Sequence, residues 1–143
     1  MTMITVVLVD DNLRILSVIE TMINAKTDMR VVGIARSGAE ALELVKKIKP
    51  DVLVTDIAMN VMDGIQLTRE VLSVAPRVRV IALSMHNNAI YIQQALEAGA
   101  SGYVLKGKAG TDLVPAINSV MSGKIFLSPP LTEKGFTKCI KAT

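Results

Sequence analysis

The 143-residue sequence has no tryptophan, two phenylalanines and two tyrosines. So few aromatics cannot line a surface on which successive bases stack, which argues against single-stranded nucleic acid as a ligand. There is one cysteine, Cys139, and one histidine, His86. A lone thiol closes no internal disulfide, and with a single imidazole it argues against a zinc site. No apolar run approaches the roughly 20 residues that span a bilayer. The start, Met1-Thr2-Met3-Ile4-Thr5, lacks the basic region of a secretory signal. The expectation is a cytoplasmic protein without membrane contact. Charge of one sign is also scarce. The net +3 belongs to residues 124–143, where Lys124, Lys134, Lys138 and Lys141 face only Glu133, and residues 1–123 are neutral. The basic character is a property of the tail, not of a nucleic-acid-binding face.

Half of the residues are hydrophobic and a fifth are charged, which excludes disorder as the main state and allows one domain with a sizeable core. Strand-like and helix-like segments alternate five times. Ile4 to Val9 is a continuous apolar run, followed by Leu13, Leu16, Ile19, Met22 and Ile23 at helical spacing. Met29 to Ala35 reads as a second strand, and Ser37-Gly38-Ala39-Glu40 as the capping box of a helix stopped by Pro50. Asp51 to Thr55, Arg77 to Leu83 and Gly102 to Leu105 are the remaining strands. Helices are predicted after Asp63-Gly64, from about Asn88 to Ala98 with Gly99 as a left-handed cap, and from about Thr111 to Ser122. Strands that are apolar throughout belong in a sheet covered on both faces. The predicted class is α/β, a doubly wound (βα)5 fold with a five-stranded parallel sheet. The pattern stops after Gly123, so residues 1–123 read as the domain and 124–143 as a basic tail. Ser128-Pro129-Pro130 looks like the start of a linker and favours a chain cut from a longer protein.

The informative feature is the residue that ends each strand. The first ends at Asp10-Asp11, the third at Asp56, the fourth at Ser84 and the fifth at Lys106. Open parallel sheets bind ligands beyond the carboxyl ends of their strands. Each piece has an ordinary explanation alone. Asp10-Asp11 can be helix caps, Asp56 a loop-entry residue, Ser84 a turn residue and Lys106 a solvated lysine. Four strands delivering them to one edge is far more specific. Clustered carboxylates need a counter-charge or raised pKa values. A hard divalent cation fits them, and with a lysine and a hydroxyl it surrounds a phosphoryl group that one carboxylate attacks.

The sequence resembles the receiver domain of two-component response regulators from about Ile4 to Ser122. The resemblance is carried by Val6-Val7-Leu8-Val9-Asp10-Asp11, by Asp56 with Ile-Ala-Met-Asn-Val-Met-Asp-Gly after it, by Ala82-Leu83-Ser84-Met85-His86, and by Ala98-Gly99-Ala100-Ser101-Gly102-Tyr103-Val104-Leu105-Lys106. Leu83 to His86 and Gly123 to Pro129 are similar to the NarL-type subfamily, in which a receiver precedes a helix-turn-helix domain. The resemblance implies a flavodoxin-like strand order, 2-1-3-4-5. It implies that Asp56 accepts a phosphoryl group from a sensor histidine kinase. Asp11 and Asp56 would ligate Mg²⁺ directly, Asp10 through water and Ala58 through its carbonyl. Ser84 and Lys106 would bind phosphoryl oxygens. Tyr103 would be a switch that rotates inward when Ser84 is drawn to the phosphate, or else a rim tyrosine. Ala58 and His86 stand where water access is tuned, with the plain loop residue the preferred reading of His86. Asn60 replaces a usual proline and loosens the loop after Asp56.

The implied role is a signalling switch with transcriptional output, not an enzyme beyond its own phosphotransfer and autodephosphorylation. Its partners would be the kinase, a second copy of the chain, and DNA only through a domain outside these residues. A stand-alone or pseudo-receiver acting through protein contacts is the alternative. A haloacid-dehalogenase-type phosphatase shares the acid, hydroxyl and lysine, but Ala58 stands where it needs an acid–base aspartate. Gly102 to Lys108 nearly spells a P-loop, yet Ala109 replaces the Ser/Thr that would bind Mg²⁺. The Gly107-Lys108-Ala109-Gly110 loop alone is weak evidence for RNA binding.

Overall fold

The computed structural model describes residues 3–59 and 61–128. Six strands and five helices follow in the order β1 Ile4–Val9, α1 Leu13–Asn24, β2 Met29–Ala35, α2 Gly38–Ile48, β3 Val52–Asp56, α3 Gly64–Val74, β4 Arg79–Ser84, α4 Ala89–Glu97, β5 Gly102–Leu105, α5 Ala109–Met121 and β6 Phe126–Leu127. All strand pairs are parallel, and the sheet order is β2-β1-β3-β4-β5-β6. The expected order of the first five strands is present. The five-stranded expectation is corrected, because a sixth strand pairs with β5 inside the stretch read as tail. Two residues are too short for a periodic signal, so Phe126-Leu127 carries none.

The apolar strands divide their side chains between two cores. Val6 and Leu8 of β1 face Leu16, Ile19 and Ile23 of α1 and Leu113, Ile117 and Val120 of α5. Val7 and Val9 face the other way, toward Val45 of α2, Leu67 and Val71 of α3 and Ile92 of α4. Alternation along each strand therefore serves both layers, which is why no polar face appears in the sequence. Among the described residues no helix is long and apolar enough to cross a membrane.

Four of the helices are entered through a side-chain cap. Asn12, Ser37, Asp63 and Asn88 accept backbone N–H groups of Arg14, Glu40, Gln66 and Ile90 at 3.0, 3.2, 2.8 and 3.0 Å. Only the Ser37 half of the predicted capping box forms as expected, since the Glu40 carboxylate accepts from the N–H of Arg36, one residue before the cap, at 3.5 Å. The last helix differs. It is entered through a 3-10 turn over Lys106–Lys108 and begins at Ala109, two residues before its predicted start. Pro115 therefore lies in its second turn, where its ring is exposed.

Candidate functional site at the carboxyl edge of the sheet

Parallel pairing brings the ends of β1, β3, β4 and β5 to one edge. Asp56 closes β3 opposite Leu83, and Ser84 closes β4 opposite Leu105. Asp10 comes directly after β1, and Lys106 directly after β5. Asp10, Asp56 and Ser84 are buried, whereas Asp11 is exposed. Carboxylate oxygens of Asp10, Asp11 and Asp56 lie within 4.8 Å of one another.

The Lys106 ammonium stands between two of these acids, 3.1 Å from Asp10 Oδ2 and 3.1 Å from Asp56 Oδ1. Asp10 Oδ2 meets it off the hydrogen-bond axis and has no aligned donor. Backbone N–H groups also hold both carboxylates. Asp10 Oδ1 accepts from the Asn12 N–H at 2.9 Å, and Asp56 Oδ1 from the Ala58 N–H at 3.3 Å. Burial and the neighbouring Asp10 push the Asp56 carboxyl up, against the opposing pull of Lys106 and the Ala58 N–H. Burial pulls the Lys106 ammonium down, but Asp10 and Asp56 outweigh it and hold the amine above its ordinary value. The site is a clustered set of oxygen ligands with more negative charge than one lysine neutralises. A divalent cation fits that donor set.

The β4–α4 loop is fastened on both sides of His86. Its N–H donates to Ser84 Oγ at 2.9 Å, and its carbonyl accepts from the Tyr103 hydroxyl at 2.7 Å. The Tyr103 ring is fully buried, facing inward rather than standing at the rim. Burial pushes its hydroxyl up, with Ser84 opposing and Tyr91 adding. The His86 ring stacks on Tyr91 with centroids 4.4 Å apart. His86 is thus tied to both Ser84 and Tyr103 through its backbone.

Ala58 is exposed just beyond β3, and Asn60 lies outside the described residues. Its neighbour Val61 has φ of 66°, a left-handed conformation that a β-branched residue rarely adopts. A cleft of about 430 Å³ opens beside Asp11, walled by Arg36, Gly38, Val61 and Met62. A groove of about 400 Å³ at the opposite sheet edge contains Asp51, whose carboxylate is engaged by the Thr5 N–H and hydroxyl at 2.9 and 3.2 Å. That acid has a structural task, so the chemistry belongs to the carboxyl edge.

Two supporting residues give little sign of their role in the sequence. A Cβ on Gly64 would lie 2.2 Å from the Asp56 carbonyl oxygen, so the start of α3 packs against the backbone of the central acid. Asp63-Gly64 marks a turn, but the sequence does not show what the glycine touches. Thr55 is fully buried, and its hydroxyl donates to the same Asp56 carbonyl at 2.9 Å. Its position inside an apolar strand is the one available signal.

The family model described as the response regulator receiver domain matches residues 6–118. Transcriptional regulatory protein LnrK of Bacillus subtilis (strain 168) is 35% identical over 132 residues, covering 92% of this chain and 60% of that protein. The chain thus spans about three fifths of the length of such relatives. A LuxR-family two-component response regulator from Aurantimonas sp. SI85-9A1 matches with a TM-score of 0.88 and 30% identity, over 92% of this chain and 94% of that one. The isolated REC domain of RcsB from Salmonella enterica serovar Typhimurium, solved in the presence of the phosphomimetic BeF3-, matches with a TM-score of 0.84 and 27% identity, over 92% and 98%.

Proposed function

This chain belongs to the response regulator receiver domain family, and we propose that it is the phosphoacceptor switch of a two-component system, with Asp56 as the acceptor. The observation that carries this reading is the Lys106 ammonium held between Asp10 and Asp56 beside a third carboxylate. Asp10, Asp11, Asp56 and the Ala58 carbonyl would hold Mg²⁺. When bound, Mg²⁺ supplies the positive charge that offsets carboxylate repulsion and the charge on the phosphoryl oxygens.

The Asp56 carboxylate attacks the phosphorus of a phosphohistidine on a sensor kinase. An O–P bond forms, the P–N bond breaks, and its electron pair leaves on the imidazole nitrogen. Asp56 reacts ionised, so it releases no proton. Lys106 exchanges the Asp56 oxygen for a phosphoryl oxygen, and the Ser84 hydroxyl donates to another. Each charge-assisted contact contributes about 1.5–3 kcal/mol. Inverting a two-state equilibrium from 1:99 to 99:1 takes roughly 5.5 kcal/mol, so two or three contacts are the right size. The lever is His86, because its backbone joins Ser84 to Tyr103. A pull on Ser84 reaches α4 and β5, whose changed surface controls the output. The relative named as a transcriptional regulatory protein supports a transcriptional output. A second copy of the chain is the proposed partner for dimerisation.

The test is intact mass after incubation with acetyl phosphate, with and without Mg²⁺, beside Asp56→Asn. The expected result is a Mg²⁺-dependent gain of one phosphoryl group, absent from the variant. No gain in the wild-type protein overturns the phosphoacceptor reading and points to constitutive protein contacts instead. Steady turnover of small phosphomonoesters would favour a phosphatase, which Ala58 argues against.

A further inference from the structure

β5 is a strand of four residues, and its outer edge carries the N–H of Leu105, the residue immediately before Lys106. β6 covers that edge with only two residues. Its ladder begins where the Phe126 N–H donates to the Ser101 carbonyl at 3.0 Å and continues where the Ser128 N–H donates to the Tyr103 carbonyl at 3.1 Å. The next rung is different. The Leu105 N–H donates to the Ser128 side-chain oxygen at 3.1 Å. A hydroxyl thus accepts a bond in the position a strand carbonyl would otherwise fill. Ser128 is completely buried. The family match ends at residue 118, so nothing in it reaches this serine.

The bond sits at a corner of the chain. At Lys106 the backbone leaves the strand and enters the 3-10 turn over Lys106–Lys108. From that corner one flexible side chain must bring its ammonium to 3.1 Å from two different carboxylates. A four-carbon stem has many rotamers, so the backbone from which it starts has to be fixed. On the β4 side, Leu105 is in register with Ser84. On the outer side, the described residues offer its N–H only the Ser128 hydroxyl.

We propose that Ser128 is a positioning residue for Lys106, its buried hydroxyl closing the end of β5 so that the ammonium reaches Asp10 and Asp56. Ser128 touches neither carboxylate and acts only through Leu105. The proposal rests on the phosphoacceptor reading for its kinetic consequence, though not for its structural one.

The full chain carrying Ser128→Ala is compared with wild type in three measurements. Phosphoryl uptake from acetyl phosphate at saturating Mg²⁺ is expected to fall about tenfold, as for other supports behind a reacting group. Mg²⁺ affinity by calorimetry is expected not to fall, because the carboxylates keep their own supports and lose only a competing cation. Amide exchange at Leu105 is expected to quicken. The isosteric pair Ser128→Thr and Ser128→Val differs in the hydroxyl alone and repeats the comparison should alanine not fold. Faster exchange at Leu105 with unchanged uptake overturns the proposal. An equal loss of uptake and of Mg²⁺ affinity also overturns it, because that marks general damage to the site. If wild type takes up no phosphoryl group, the phosphoacceptor reading fails separately. A crystal structure of the variant then decides the positioning claim, and Lys106 still bridging both acids overturns it.

Discussion

The Lys106 ammonium lies 3.1 Å from Asp56 Oδ1, so the proposed acceptor is neutralised by the residue that would later bind its phosphoryl group. The neutralisation is incomplete. Burial and Asp10 still leave the Asp56 carboxyl raised above its ordinary value of 3.8. A raised acid binds its proton more tightly in the folded state. Its contribution to stability is therefore full below pH 3.8 and is lost as pH rises through the folded value.

That sign makes Asp56→Asn informative. The amide keeps the shape and removes the disfavoured charge. The variant should be more stable than wild type at about pH 7.5, on the order of 1 kcal/mol. The advantage should shrink steadily toward about pH 3.5, where wild-type Asp56 is itself protonated. Urea denaturation of both proteins at several pH values measures it. An advantage that grows on acidification would show Asp56 to be stabilised by charge, contrary to its surroundings.

Lys106 contributes in the opposite range. Its amine is held above 10.5, so its contribution is complete below that pH and is lost as pH rises through the folded value. It therefore leaves the acid-side comparison undisturbed.

Mg²⁺ should stabilise the protein through the same excess of negative charge. Binding to the folded state alone gives about 2.7 kcal/mol at a hundredfold excess over Kd. Asp11 is the cleanest place to test this, because it is the exposed member of the cluster. Asp11→Ala relieves part of the carboxylate repulsion, so it should unfold at or slightly above the wild-type midpoint without Mg²⁺ and lose most of the rise on adding it. Thermal melts across a Mg²⁺ series read both quantities. An undiminished rise would remove Asp11 from the cation site.

Most of this architecture is legible in the sequence because it is periodic or local. The apolar run at Ile4–Val9 announces a buried parallel strand and Met29–Ala35 a half-buried one at the sheet edge, and the residues at the strand ends include the acids and the lysine. Ser37 is readable as a cap because capping chemistry lies within four residues. The contacts of Gly64, Thr55 and Ser128 are not readable. Each depends on how the fold sets one backbone segment beside another, and a sequence does not show that Leu105 meets residue 128. The inward Tyr103 is another such case. Its ring alone says amphipathic, and only the fold shows the His86 carbonyl waiting for its hydroxyl.

Gly64 carries a steric prediction. A methyl group there meets the Asp56 carbonyl oxygen at 2.2 Å and Ile57 Cα at 2.9 Å, both backbone atoms that cannot rotate away. Gly64→Ala should destabilise by about 1–3 kcal/mol and slow phosphoryl uptake by displacing Asp56. Gly107→Ala is the control, since a Cβ there meets nothing within 4 Å. Chemical denaturation should separate the two variants clearly. Equal effects would mean that the start of α3 adjusts freely behind the acid.

Tyr103→Phe tests the link between the buried ring and the β4–α4 loop. The substitution keeps the ring and removes the hydroxyl that donates to the His86 carbonyl at 2.7 Å. Losing one such bond costs about 0.5–1.5 kcal/mol, too little to unfold the domain. The effect should instead be local. The His86 N–H is held by Ser84 Oγ at 2.9 Å, so loosening the carbonyl side frees the other as well. Amide exchange should quicken at His86, whereas Leu53 in the middle of the sheet should keep its protection. If His86 exchange stays at the wild-type rate, Ser84 alone holds the loop. The path from Ser84 to Tyr103 would then have to run through packing rather than through the His86 backbone.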